Sequence, residues 1–256
     1  MDTTNDFFST DQLVTVKGRA VLITGGTAGI GRATAALLAG KGANVLIAGR
    51  DPAHLESALT QINGQQIEGS IAGVVVDVAT KEGVIKIFQE AERKFGKLDV
   101  LINNAALAYQ SITEGTYEDW EQVTRTNLLA YMACTWHAVD RMRPKGSGHI
   151  INIGSMSADV REKGSSVYVG TKAGIQGFSE TLRKEVNELG IKITLIEPGA
   201  VITELHRLED KELKEKEQNQ EMLLSEDIAR AVYYALVQPA RCDVVEMKIK
   251  PHLQLI

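Results

Sequence analysis

The chain has 256 residues, of which 44% are hydrophobic and 24% charged, with a formal net charge of −5. A chain of this length buries roughly three quarters of its unfolded surface without help from a disulfide or a metal, and an acidic balance lacks the basic field that a nucleic-acid surface needs. Cys134 and Cys242 lie far apart without CxxC spacing, the five histidines are scattered, and residues 1–16 lack the basic start and apolar core of a signal peptide. These features predict reduced buried thiols, no metal, no membrane span and a cytoplasmic protein.

In chain order, residues 1–17 read as an N-terminal extension. Residues 19–24 form a short apolar run that ends in glycines, as a buried parallel strand does. A helix is expected over 30–41, where Ile30, Ala33, Leu37 and Leu38 recur at helical spacing. A strand follows at 44–48. Pro52 opens a second helix, with Asp51 placed to cap it. Strands are expected at 74–77 and 98–103, with a helix over 84–95 between them. Residues 117–142 read as one or two helices, 149–153 as a strand, and 167–189 as a long helix stopped by Gly190. A strand at 191–196, a helix at 226–237 and an alternating strand at 244–249 complete the pattern. Strands alternating with helices predict an α/β fold, a doubly wound parallel sheet of about seven strands with helices on both faces. No repeat, linker or low-complexity tract divides residues 18–256, which read as a single domain.

The segment Thr24-Gly-Gly-Thr-Ala-Gly-Ile-Gly31 joins the first strand to the first helix. Gly25 and Gly29 let the backbone turn sharply and approach a ligand, and Gly31 lets the helix pack closely on the strand. The helix N-terminus then offers N–H groups and partial positive charge to a pyrophosphate. This position in the first βαβ unit predicts nucleotide binding rather than a bare turn.

Tyr168 and Lys172 are four residues apart at the start of the long helix, which puts them on one face. A phenol with a pKa near ~10 is a poor acid–base catalyst at neutral pH. An adjacent ammonium is expected to stabilise the phenolate, and a shift of ~3 units requires roughly 4 kcal/mol. Ser155 follows the strand at 149–153, and its hydroxyl can hold a substrate oxygen for Tyr168.

The Gly-x-x-x-Gly-x-Gly spacing, Ser155, Tyr168-x-x-x-Lys172 and Asn127 together resemble the short-chain dehydrogenase/reductase family, over nearly the whole chain. Asn103-Asn-Ala-Ala106 is similar to that family's Asn-Asn-Ala-Gly, with Ala106 in place of the usual glycine. The resemblance implies a Rossmann-like fold and a nicotinamide cofactor held by Gly25, Thr27, Gly29, Ile30 and Gly31. Asp77 and Val78 would meet its adenine. Asn104 and Ala105 belong to the same implied site, and Pro198, Gly199, Ile202 and Thr203 would hold the nicotinamide carboxamide. It further implies that Tyr168 exchanges the proton, Ser155 orients the substrate oxygen, Lys172 tunes Tyr168 and contacts the ribose, and Asn127 holds a water beside Lys172. Read by itself, Asn127 is an ordinary helix residue. The ending at 238–251, Glu197 before Pro198-Gly199, and Ser179-Glu-Thr-Leu-Arg183 look like the branch of clavulanate-type aldehyde reductases and 3-hydroxy acid or serine dehydrogenases.

At the end of the second strand an acidic residue would select NAD(H), whereas a nearby arginine accommodates the 2′-phosphate of NADP(H). Here Gly49 and Arg50 stand in that place, so NADP(H) is expected over NAD(H). Gly49 is read as leaving room for the phosphate. Residues 204–221 sit where the family has a helical lid, with Leu205, Leu208 and Leu213 placed to face the site. Leu107, Met156 and Val160 are expected to line an apolar pocket, and Arg161, Lys163 and Arg207 are candidates for an acidic substrate. The expected partners are a small carbonyl or alcohol substrate and further copies of the chain, as a tetramer or dimer. The rival readings are a related reaction such as enoyl reduction or a dehydratase step, and a catalytically silent nucleotide-binding regulator.

Overall fold

The computed structural model describes residues 13–109, 111–203 and 210–254. Seven strands form one parallel sheet, in the order β3-β2-β1-β4-β5-β6-β7. They are β1 (Ala20–Thr24), β2 (Asn44–Gly49), β3 (Ser70–Val75), β4 (Val100–Asn103), β5 (Gly148–Ile153), β6 (Ile191–Pro198) and β7 (Glu246–Ile249). The crossovers carry α1 (Gly29–Gly40), α2 (Pro52–Asn63), α3 (Lys81–Phe95), α4 (Tyr117–Thr124) and α5 (Ala130–Met142). They continue with α6 (Ser157–Val160), α7 (Ser166–Val186), α8 (Asp210–Gln218) and α9 (Ser225–Val237). This is the doubly wound, Rossmann-like sheet that the alternation of elements predicts.

Side chains of a strand alternate between its two faces, and both faces here are covered. Val21, Ile23, Val45 and Ile47 point to the face packed by α1, α2 and α9. Leu22, Leu46, Leu101 and Ile150 point to the other, against α3, α5 and α7. The chain winds outward from β1 to β3, then restarts at β4 on the other side of β1. The strand order therefore reverses between β1 and β4, where a doubly wound sheet opens a crevice at the carboxyl ends of its strands.

The third strand is placed differently from the expectation, and the helices at 117–142 lie as expected. The third strand is β3, which starts four residues before the expected 74–77 and ends at Val75. Its register is set by pairing with β2, from Asn44↔Ser70 to Gly49↔Val75, not by its own apolar residues. It is an edge strand with half-covered faces, so its first residues need not be apolar. Residues 117–142 form one continuous helical rod interrupted by a π turn at Arg125–Leu129. The capping residues follow local chemistry: the Asp51 carboxylate accepts from His54 N at 2.9 Å, and Gly190 closes the turn after α7 at φ 72°.

Residues 1–12 of the expected extension lie outside the described residues. Residues 13–17 dock on the domain, with Val14 N donating to Val237 O at 2.8 Å and Val16 buried. Cys134 is buried and its thiol is pushed up to about 12 by burial, whereas Cys242 is exposed, against the expectation of two buried thiols. Cys242 falls in the connection between α9 and β7, where the chain runs over the surface. Among the described residues, no helix is long and apolar enough to cross a membrane, and no cluster of ligating side chains could hold a metal ion.

Candidate active site

A cleft of about 620 Å³ opens along the carboxyl ends of the strands. That is within the ~300–1,000 Å³ usual for ligand sites. One end is walled by the glycine loop. Gly25 has φ 65°, and a Cβ there would lie 2.8 Å from Ala105 Cα; a Cβ on Gly31 would run into the Gly25 carbonyl. The loop is held in this shape from β4. The Asn104 side-chain amide donates to Thr24 O at 3.1 Å and Gly25 O at 2.9 Å. The Thr24 hydroxyl accepts from the backbone of Asn104 and Ala105 at 3.0 and 3.1 Å. Helix α1 then begins without a capping side chain, whereas α2, α3 and α4 are capped by Asp51, Thr80 and Thr116. A bare helix start beneath a backbone-lined hollow fits a phosphate group.

Gly25, Thr27, Gly29, Ile30, Arg50, Asp77, Val78, Asn104 and Ala105 all line this part of the cleft, and Gly31 supports it from beneath. Gly49 differs from the sequence expectation, because it does not leave empty room. A Cβ at that position would run into the Thr27 methyl group, so the glycine lets the phosphate loop pack on β2. Asp51 is committed to capping α2, and its carboxyl is held below the usual range by the His54 N–H.

The other end of the cleft is built from side chains. Ser155 follows β5, and Tyr168 and Lys172 lie one turn apart on α7, all three lining the cleft. The Lys172 ammonium is 2% exposed and donates to Ile153 O at 2.9 Å. It lies 5.6 Å from the Tyr168 ring centroid and 5.7 Å from that of Tyr131. Burial lowers Lys172 to about 8, opposed by the charge of Glu197. Tyr168 departs from expectation. Burial pushes its phenol up, a hydrogen bond with Ser155 works the other way, and the Lys172 ammonium faces its ring.

Asn127 sits in the π turn, fully buried and outside the cleft lining. Its side chain accepts from Leu107 N at 2.7 Å and donates to Leu107 O at 2.9 Å and the Thr171 hydroxyl at 3.3 Å. It thereby ties the loop after β4 to α7. Pro198, Gly199, Val201 and Thr203 line the cleft, but Ile202 does not, since its N–H is bonded to Leu223 O at 2.8 Å. Leu107, Met156 and Val160 also line the cleft. Arg161 does not, because its backbone turns over at φ 54° and its guanidinium bonds Ala158 O at 3.0 Å. Lys163 is also absent from the lining, and Glu162 is present instead. Arg207, Leu205 and Leu208 lie outside the described residues, as does the first part of the expected lid. The rest of that lid contains helix α8.

The model of the short chain dehydrogenase family matches residues 19–214. An uncharacterised oxidoreductase of Staphylococcus saprophyticus is 33% identical over 240 residues, covering 93% of this chain and all of its own. One of Staphylococcus aureus is 34% identical over 234 residues, covering 91% and 97%. The fold matches a metagenomic short-chain oxidoreductase solved in complex with NADP (TM-score 0.80, 22% identity, 94% and 100% coverage). It also matches a dehydrogenase/reductase of Sinorhizobium meliloti (TM-score 0.81, 25% identity, 93% and 95%). The chain belongs to the short-chain dehydrogenase/reductase family.

In this dehydrogenase/reductase several contributors to the cleft carried no signal in the sequence. Tyr131, on α5, is fully buried beside Lys172, and its hydroxyl donates to Ile153 O at 3.2 Å, the carbonyl that Lys172 also uses. Gln254, far along the chain, reaches the cleft and accepts from Ala200 N at 3.0 Å. Asn103 donates to Asn152 at 2.9 Å, and Asn152 to Ser179 at 2.9 Å, which locks β4, β5 and α7 together under the site. Tyr131 resembles a core aromatic at helical spacing, and Gln254 lies outside every motif, so only the fold reveals either.

Proposed function

We propose that this short-chain dehydrogenase/reductase moves a hydride between NADP(H) and a small carbonyl or alcohol substrate, with Tyr168 as the acid and base. The observation that carries the reading is the sharing of one cleft by Ser155, Tyr168 and Lys172 with the glycine loop and Arg50. The cofactor, when bound, supplies or accepts the hydride.

The chain's own residues do the rest. Ser155 donates a hydrogen bond to the substrate oxygen and fixes it beside the Tyr168 hydroxyl. As charge develops on that oxygen in reduction, Tyr168 gives it the phenolic proton. A phenol held up by burial stays protonated at neutral pH, which suits reduction; alcohol oxidation needs the phenolate and is expected to rise with pH. Lys172 keeps a positive charge close to the pair and offers a donor to the ribose. Asn127 holds the Leu107 segment, where the family also places a water. Arg50, at the rim beside Gly49, pairs with the 2′-phosphate, which favours NADP(H) over NAD(H). Leu107, Met156 and Val160 favour an apolar substrate body.

Residues 18–256 act as one cofactor-binding and catalytic domain in this reading, in the cytoplasm. Copies associate into a dimer or tetramer in this reading, which the exposed Leu129, Met132 and Trp136 on the α4–α5 rod support. A panel of aldehydes, ketones, 3-oxo acids and diketones, followed by NADPH oxidation, tests the activity. Turnover of at least one class is expected. Tight NADPH binding with no turnover across the panel would instead support the silent regulator.

A further inference from the structure

Glu197 is the last residue of β6 before Pro198, and its side chain is fully buried. Neither carboxylate oxygen has a hydrogen-bond partner. It lies against Gly154, the residue between β5 and Ser155; a Cβ on Gly154 would sit 3.0 Å from Glu197 Cγ and 3.2 Å from Oε1. A buried carboxyl group without a hydrogen bond, its charge met by Lys248 at 3.8 Å, is costly to keep. Nothing in the proposed proton transfer employs it.

The groups around it come from three elements. From β7, Lys248 approaches Glu197 Oε2 at 3.8 Å, with Glu246 beside it. From α6, Asp159 holds the same lysine at 2.7 Å. From α7, Gln176 donates to Asp159 at 3.0 Å and also favours the Glu197 carboxylate, and the buried Lys172 reaches the same segment, its ammonium donating to Ile153 O next to Gly154. Lys248 is thus shared by three acids, two of them about 40% exposed and one fully buried. Lys172 is met by the Ile153 carbonyl and by the Tyr131 and Tyr168 rings, and by no carboxylate in ion-pair contact among the described residues.

We propose that Glu197 is a positioning residue, a buried counter-charge that acts across the Gly154–Ser155 segment to keep the Lys172 ammonium protonated, with Lys248 controlling whether Glu197 itself is charged. Burial, together with Asp159 and Glu246, raises Glu197 to about 7, and Lys248 opposes that rise. The carboxylate therefore forms in the range just below the midpoint, about 8, of proton loss from Lys172. As pH rises through that window, the new negative charge favours the ammonium and delays its loss. The kinetic consequence rests on the role proposed above for Lys172; the electrostatic link does not.

The test reads Lys172 directly. Protein labelled with ¹³C at lysine Cε is titrated by NMR, with the Lys172 resonance assigned by its disappearance in Lys172→Arg. Glu197→Gln keeps shape and removes charge, so the Lys172 midpoint falls by roughly half a unit or more. Lys248→Met changes a partly exposed side chain and leaves Glu197 in place. It makes Glu197 harder to ionise, so the Lys172 midpoint falls again. A packing role for Glu197 predicts no such effect from Lys248→Met, and that variant keeps the test valid if Glu197→Gln folds poorly. Midpoints unchanged in both variants would overturn the proposal. A midpoint that falls while the basic limb of kcat/KM stays in place supports the link and removes Lys172 from catalysis instead.

Discussion

The two ends of the cleft are made of different material. The cofactor end is largely backbone: the turn at Gly25, the bare start of α1, and carbonyls clamped by Asn104. The end proposed for catalysis is largely side chain, with Lys172 and Tyr131 buried near Tyr168 and Glu197 buried on β6 against Gly154. The first end works by shape, because a single Cβ in the wrong place fills it. The second works by desolvation, because its groups depart from their ordinary proton affinities chiefly through burial. Damage to the first should therefore appear in binding, and damage to the second in turnover.

The sharpest separation comes from Tyr168→Phe, which removes one oxygen from the catalytic end. Turnover is expected to fall at least ~100-fold, about 2.7 kcal/mol, with NADPH affinity unchanged. A variant that kept more than about a tenth of the rate would remove Tyr168 from its role. Gly25→Ala attacks the cofactor end. A positive φ costs an L-residue roughly 1–2 kcal/mol, and the new methyl also meets Ala105 Cα at 2.8 Å. NADPH titration should show affinity weakened by about tenfold or more, with kcat at saturating cofactor less affected than kcat/KM. Equal loss in kcat and kcat/KM would mean that the two ends are not separable in this way.

The smallest effect is expected at the rim, where the cofactor end depends on one side chain. A bidentate Arg–phosphate contact contributes roughly 1.5–3 kcal/mol, a factor of ~10 to 150. Arg50→Ala should erase most of an at least tenfold kcat/KM preference for NADPH over NADH, by weakening NADPH use and not by improving NADH use. Steady-state kinetics with both cofactors decides it, and a wild-type preference for NADH would end the argument. Gly49→Asp is a poorer probe, since its Cβ displaces Thr27 before its carboxylate meets any phosphate.

The contrast also explains what could be read before any coordinates. The cofactor end was legible because backbone sites leave a glycine pattern, and Gly25, Gly29 and Gly31 have few other reasons to share one strand–helix turn. Ser155, Tyr168 and Lys172 were legible because their types and spacing match a known family. The start of β3 was not, because pairing with β2 places it. Ile202 and Arg161 were misplaced for a similar reason: the first is turned away by Leu223 and the second by a left-handed backbone.

By itself the sequence determined the order of the elements, the parallel sheet, the phosphate loop and the family, because these follow from local periodicity and from short motifs with their own mechanics. Tertiary structure alone decided that Tyr131 and Lys172 share the Ile153 carbonyl, that Gln254 returns to the cleft, and that Glu197 lies buried against Gly154 without a hydrogen bond. The physical reason is that burial is a property of the packed chain. The electrostatic energy of a lysine, a tyrosine or a glutamate depends on which neighbours exclude water from it, and those neighbours come from strands and helices far away in the sequence.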